Sequence, residues 1–389
     1  KYVRQEPELV WQDSENLISS LSMTNIDGIP YVEFTTDDAT DIGNGNALIA
    51  IREYSKDSPT GEETSRIVWS WHIWITGLRI ERTFTNTFKG RKIECFPYFL
   101  GLIPNEGQIY KFYEHDIDLR VRQYKGGEII SEKIVSWHQN EEPAAFSGAP
   151  CYYQWGRKDP MPRSQYNNDD SMTYPTPIYK IDGSNASLSV LNDGNVSNAI
   201  SNPGSLFKNW NNVKNKFNLW DAKATKAFTQ PTMDMGGKSN LSESANNPSN
   251  PDYFEDYVTV KTIYDPSPAG FKVMDVTSIG QFGKRTKQVS ISLVEQCKAM
   301  GFSYGNKTLY MTFTGVLSEK NGLPSVSLYK EPGVGDVMIW RGYTWGSEVI
   351  YKQFGYYLSF GITKEGSAYS NSFNVISELS NALPVLSIR

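Results

Sequence analysis

The sequence predicts a mainly β protein, with one or two short helices mixed into its second half. Three observations carry that prediction. Apolar and polar residues alternate with period two at Tyr31-Val32-Glu33-Phe34-Thr35-Thr36 and again from Ile117 to Gln123, the pattern of a half-buried strand. Turn chemistry separates such runs, as at Asp41-Ile42-Gly43-Asn44-Gly45-Asn46 and Lys125-Gly126-Gly127. Aromatics make up 13% of the chain and charged residues only 21%, so Asn, Ser, Thr and Gly supply much of the polarity. That balance suits an extracellular β-rich protein better than a cytosolic helical one.

Residues 1–145 read as an N-terminal antiparallel β-sandwich. Ala47-Leu48-Ile49-Ala50-Ile51 is apolar on both faces, like a central strand. In Ile67–Thr76, period two places Trp69, Trp71, Ile73 and Ile75 on one face, with Val68, Ser70, His72 and Trp74 on the other. His72 is expected as a packed strand histidine. Ile117–Gln123 and Glu128–Trp137 form a hairpin around the two glycines, with Asp118, Arg120 and Arg122 on one solvated face.

Composition shifts near residue 147. Gly148-Ala149-Pro150 marks a domain edge, so residues 146–389 are expected as a second domain. Tyr152-Tyr153-Gln154-Trp155-Gly156-Arg157-Lys158-Asp159-Pro160-Met161-Pro162 follows, aromatic, then basic, then a Pro-flanked acidic corner with no helical or strand period. Such a corner needs a specific tertiary setting for its tryptophan. Residues 163–260 are rich in Asn, Ser, Asp and Gly and read as a loop-rich insertion. Within it, Ile178–Ile181 and Leu188–Leu191 are expected to pair as a hairpin, and Leu206–Ala222 has helical spacing. Asn185, Asn195, Asn240 and Asn306 begin glycosylation-type triplets. Val260–Val273 reads as a strand followed by a Pro-Gly corner. Ser292 and Glu295 form a capping-box pair ahead of Gly301, predicting a helix over 293–300. Thr308–Phe313, Val337–Trp340, Tyr356–Phe360 and Leu383–Ile388 are strand-like.

A net charge of −5, a pI near 5.5 and the absence of a basic stripe argue against nucleic acid as a partner. No apolar run reaches the length of a membrane span. The chain opens at Lys1 without a leader, and a targeting segment ahead of it is expected, with any membrane link through a lipid anchor outside the sequence. Cys95, Cys151 and Cys297 lack metal-type spacing and are expected as free thiols; His72, His115 and His138 are too few for a histidine metal site. Nucleophile-elbow, zincin, P-loop and dinucleotide signatures are absent. Glu141-Glu142 and Asp169-Asp170 are adjacent in sequence, which does not make a facing acid/base pair. Asp182–Asn185 and Asn192–Asn195 lack the spacing of an EF-hand loop. No catalytic residue, metal or cofactor is therefore expected, and the chain reads as no enzyme. For ligand contact the candidates are Trp340, Tyr343 and Trp345 on a Gly342-bearing turn, with Trp220. Such rings can stack on sugar faces or fill a core.

Taken together, Ile67–Thr76, Tyr153–Pro160, Lys261–Val273, Gly355–Phe360 and Leu383–Ile388 resemble the Fibrobacter succinogenes major paralogous (FISUMP) domain proteins, surface proteins of gut Bacteroidetes often tied to fimbrillin-type pili or adhesins. The resemblance covers roughly residues 67–389. It implies a C-type-lectin-like fold for the second half with long loops, export to the cell surface or outer membrane, and a lipoprotein or pilus-associated role. It makes Trp71, Trp155, Arg157, Asp159, Tyr264 and Asp265 structural motif residues. Ser267 stands where the family often carries Cys. Glu331-Pro332-Gly333 matches half of the calcium-dependent lectin signature without its Trp-Asn-Asp partner. The expected function is a non-enzymatic adhesin or pilus tip or accessory protein that binds a surface glycan or a host or pilus protein through loops at 163–260 and 331–346. The rivals are a structural stalk without a small ligand and, behind it, a carbohydrate-active enzyme.

Overall fold

The computed structural model describes residues 2–36, 44–56, 62–78, 80, 83–88, 91–104, 115–139, 148–166, 172–173, 177–192, 194–210, 219–222, 259–275, 278, 282, 290–294, 299–304, 307–318, 324–325, 338–350, 354–363, 368–371, 376–378 and 381–389. Among them the chain is mainly β, and the α-helix is a single short one, Val196–Ser201, N-capped by the Asn195 side chain accepting from the Asn198 amide at 2.9 Å.

Long strands come first: β1 (Tyr2–Gln12), β2 (Ser20–Ile26), β3 (Ile29–Thr35), β4 (Gly45–Lys56) and β5 (Glu63–Ile75). β1, β4 and β5 are antiparallel neighbours, with β4 central, as the doubly apolar Ala47–Ile51 run requires. One face of this sheet carries Leu9, Ala47 and Ile49, covered by Leu21 and Val32 of the β2–β3 hairpin. The other carries Trp11 and Leu48 into a larger core with Tyr153, Trp155, Phe207, Trp210, Trp220, Tyr343 and Trp345.

The sheet also takes strands from beyond the expected boundary at 145/146. Ile178–Tyr179 pairs with β1, and Asn185–Ala186 extends the edge. β6 (Phe84–Phe88), β7 (Arg91–Cys95) and β8 (Ile103–Pro104) follow the same habit: β7 pairs with Ser387–Ile388, and β8 with β11 (Gly148–Ala149). β9 (His115–Lys125) and β10 (Glu128–Gln139) pair only with each other among the described residues. Their turn, Gly126-Gly127, has φ of +61° and +88°, which two glycines adopt without a Cβ clash.

Several expectations are corrected. Residues 290–294 and 299–304 are antiparallel strands, not a helix, and Lys307–Thr312 completes a three-stranded meander. Met300, Phe302, Leu309 and Met311 enter a second core with Phe99, Met274, Phe360 and Leu386. That burial with period two outweighs the local capping pair. Ile178–Tyr179 turns back onto Asn185–Ala186, and Ser189–Leu191 pairs in parallel with Ser205–Phe207. So the hairpin expected between 178–181 and 188–191 does not form, and the start of the helix-spaced 206–222 segment is strand; its 211–218 part lies outside the described residues. The 260–273 segment is strand only at Lys272–Val273.

Candidate functional site

The Tyr152–Pro162 corner sits at the junction of the large core. β12 (Tyr153–Gln154) pairs with Ala382–Leu383, and Tyr152 bridges Met161 across the corner. Three indole N–H groups tie backbone carbonyls in and around it: Trp345 donates to Tyr153 O at 2.8 Å, Trp210 to Trp155 O at 2.7 Å, and Trp220 to Tyr264 O at 3.0 Å. Trp155 is buried, its ring 5.5 Å from that of Trp220.

Arg157, also buried, donates through Nη1 to Gln154 Oε1 (2.9 Å) and Ser205 O (2.5 Å), and through Nη2 to Pro203 O (2.9 Å). Its guanidinium lies over Phe207 at 4.9 Å and Trp210 at 5.7 Å. Burial lowers its pKa to about 10, against the opposing pull of Asp159. Asp159 accepts from Ser70 Oγ and from Lys158 Nζ, each at 2.6 Å. Lys158 also donates to Ser70 O at 2.8 Å and to Ser70 Oγ, and it lies 4.6 Å over the Trp69 ring. Desolvation lowers the Lys158 pKa, and Asp159 opposes it.

A second polar chain runs alongside. Arg163 Nε donates to Asp13 Oδ2 (3.0 Å), which accepts from Asn46 Nδ2 (3.0 Å). His72 Nε2 meets Asn46 Oδ1 at 2.9 Å, and Tyr153 OH meets His72 Nδ1 at 2.8 Å. The Asn46 amide already donates to Asp13 and to Gly101 O, so its oxygen accepts. Nε2 then carries the imidazole proton and Nδ1 accepts from the phenol. Although His72 keeps part of its surface open, desolvation lowers its pKa to about 3. The thiol of neighbouring Cys151 is pushed up, chiefly by desolvation, which makes it a poor nucleophile.

Ser70, Lys158 and Asp159 are the residue types of a nucleophile and its activators. Here Ser70 is 2% exposed, donates to the carboxylate and accepts from the ammonium. An activated serine needs its oxygen open to substrate, and this one is enclosed. The trio is a buried ion pair bridged by a hydroxyl, fastening β5 to the corner.

The sequence-predicted residues fall into three settings. Trp155, Arg157 and Asp159 are gathered in the corner. Tyr264 and Asp265 close the neighbouring turn, where Asp265 accepts from the Ser267 and Val273 amides at 2.8 and 2.9 Å and Lys261 Nζ donates to the carbonyls of Pro268 and Phe271. Burial raises the Asp265 pKa against those bonds. Trp71, the other residue that the resemblance makes structural, is 40% exposed on β5. The ligand candidates need the opposite correction. Trp220 and Trp345 have no exposed surface and Tyr343 has 2%, so these rings cannot stack on a sugar in this fold. Tyr343 and Trp345 belong to the 13-residue strand Met338–Ile350 rather than to a turn. Gly342 fits inside that strand because Phe360 of the paired strand covers it; a Cβ there would meet the ring at 2.2 Å. Trp340 lies in the same strand opposite Ile362, with its side chain outside the described part. Most of 163–260 and all of 331–337 are also outside it, as are Glu141-Glu142, Asp169-Asp170 and Cys297.

Exposed features remain among the described residues, one of them the end of the β2–β3 hairpin with Ile26, Ile29 and Tyr31. An open groove of about 530 Å³ lies between β1, β4 and the Lys180–Asp182 turn. Its cation Arg52 is held by Glu8, which raises the Arg52 pKa chiefly through that hydrogen bond, and Asp182 accepts from Ser184 N and Oγ. The β9–β10 ribbon is the larger feature. Registered pairs Ile117↔Trp137, Leu119↔Val135 and Val121↔Lys133 share one face. Ile117, Leu119, Val121 and Trp137 are 41–52% exposed. The sequence carried a signal for this face: the alternation that leaves Asp118, Arg120 and Arg122 in solvent also fills the other side with aliphatics. Ser70, Lys158, Asn46 and Asp13 carried none, because their partners are far away in the chain. Among the described residues no cluster of three or more His, Cys, Asp or Glu side chains is placed to hold a metal.

The chain matches no protein-family model, no curated protein and no solved structure.

Proposed function

We propose that this chain is a non-catalytic contact module of an exported surface protein, acting through protein–protein contact at the β9–β10 ribbon. One observation carries the reading. A two-stranded ribbon exposes an aliphatic and tryptophan face that nothing among the described residues covers, and exposed apolar patches of this kind mark interaction surfaces. The low charge and the resemblance to FISUMP surface proteins support export, and the resemblance alone supports a lectin-like second half with a pilus or adhesin role. Burial of Tyr343, Trp345 and Trp220 favours protein over glycan as the ligand.

The test is binding by the purified chain to a glycan panel and to cells displaying the same chain, alongside a Leu119→Ser/Trp137→Ser variant. Cell binding that the variant loses, without glycan selectivity, is the expected result. Glycan binding that survives both substitutions would sink the reading. Protease treatment of intact producing cells should degrade the chain; full protection would remove the surface assignment.

A further inference from the structure

The charged face of β9 has an ordered polarity. Asp116 and Asp118 lie toward one end, Arg120 and Arg122 toward the other, with Leu119 between them. On the ribbon these charges are unevenly answered. Arg120 and Arg122 share one carboxylate, Glu132, at 3.8 and 2.5 Å. Among the described residues Asp118 meets the Ser136 hydroxyl (2.5 Å) and Asp116 meets His138 (2.8 Å). One half of the strand therefore has surplus positive charge and the other surplus negative. Charged side chains on an edge strand ordinarily block pairing by a like edge. In this order they do the reverse.

We propose that β9 pairs antiparallel with β9 of a second copy of this chain, in a register centred on Leu119, joining two ribbons into one four-stranded sheet. The inference rests on the ribbon being a contact surface, as proposed above. Antiparallel pairing about Leu119 sets Asp118 opposite Arg120 of the partner and Asp116 opposite Arg122 of the partner, twice each by symmetry. It sets Ile117 opposite Val121 of the partner on the other face, with Leu119 against its own counterpart. Centring on Val121 would instead oppose Arg120 and Arg122 and destabilise the pairing. A two-fold axis normal to the sheet keeps the apolar sides of both ribbons on one face, the self-complementary arrangement of an isologous dimer. The gain is large for this element because a lone two-stranded ribbon is marginal in water, whereas four strands with an apolar face are not. β9 contains no proline or glycine before its terminal turn, so its outer edge is continuous.

The test is sedimentation of the full chain from about 1 to about 100 µM, the span in which an interface this small associates. Wild type should dimerise more weakly as salt rises. An all-acidic edge, Arg120→Asp/Arg122→Asp, and an all-basic edge, Asp116→Arg/Asp118→Arg, should each raise the dimer Kd at least about tenfold. Mixing the two variants should restore a dimer, because every reversed pair becomes complementary. A heterodimer no tighter than either variant alone overturns the register. A wild type that stays monomeric overturns the proposal, and slow amide exchange along β9 in that monomer would place the edge against another part of its own chain. If wild type is monomeric while Leu119→Ser/Trp137→Ser still abolishes cell binding, only the second copy is excluded. If that variant also binds normally, the contact-surface reading falls with it.

Discussion

The Tyr152–Pro162 corner and the β9–β10 ribbon share several kinds of residue: tryptophan, tyrosine, arginine and aspartate. In the corner every one is enclosed, and the charges meet backbone carbonyls, a hydroxyl and aromatic faces from distant parts of the chain. On the ribbon the same side chains stand in water and answer mainly their cross-strand neighbours. Residue type therefore says little about role here. Enclosure decides it, because a buried charge loses its hydration and must find protein partners, while an exposed one keeps its water.

The comparison can be broken from either side. Trp345→Ala should have the largest effect, about 3–5 kcal/mol in denaturant unfolding, since it empties a fully buried site and releases the Tyr153 carbonyl. Arg157→Ala should cost roughly 3 kcal/mol, because Gln154, Ser205 and Pro203 each lose a donor inside the core. A loss below about 1 kcal/mol would make the corner far more adaptable than its bonding implies.

His72 gives a smaller, pH-dependent effect. The unfolded imidazole titrates near 6.5 and the folded one at about 3. Between those values the unfolded chain binds a proton that the folded chain refuses. Stability is therefore complete above pH ~6.5 and declines as pH falls toward 3. His72→Gln should shallow that acid decline by on the order of 2 kcal/mol in stability measured at several pH values; an unchanged slope would assign the acid sensitivity elsewhere. Leu119→Ser/Trp137→Ser should have the least effect, within about 0.5 kcal/mol for the monomer, and a large loss would mean the ribbon is anchored to the body.

Strand character was legible where residues alternate or stay apolar throughout: the 117–137 hairpin shows period two, Ala47–Ile51 is an unbroken apolar run, and both are strands where the pattern places them. What misled was local chemistry without a local cause. Ser292 and Glu295 match a capping box, yet Met300 and Phe302 beyond them are one strand period apart and go to the core together. Ser189–Leu191 needed a parallel partner in Ser205–Phe207, which no adjacent turn announces. Tyr343 and Trp345 flank positions where glycine suggested a turn, and only the ring of Phe360 explains the glycine. At the corner, the motif residues were visible but their partners were not: Ser70 and Asp159 are joined across 89 residues of chain.

The short strand Ser387–Ile388 lies between β7 and Lys272–Val273, and the Arg389 amide donates to Glu94 O. An early hairpin and a middle segment thus remain unjoined until this late piece of chain arrives. Cys95 and its neighbours keep a sheet edge unfilled until Ile388, far along the chain, pairs with it, and that closure is a non-local step of the slow kind. The interval before it is when this protein has most need of a chaperone.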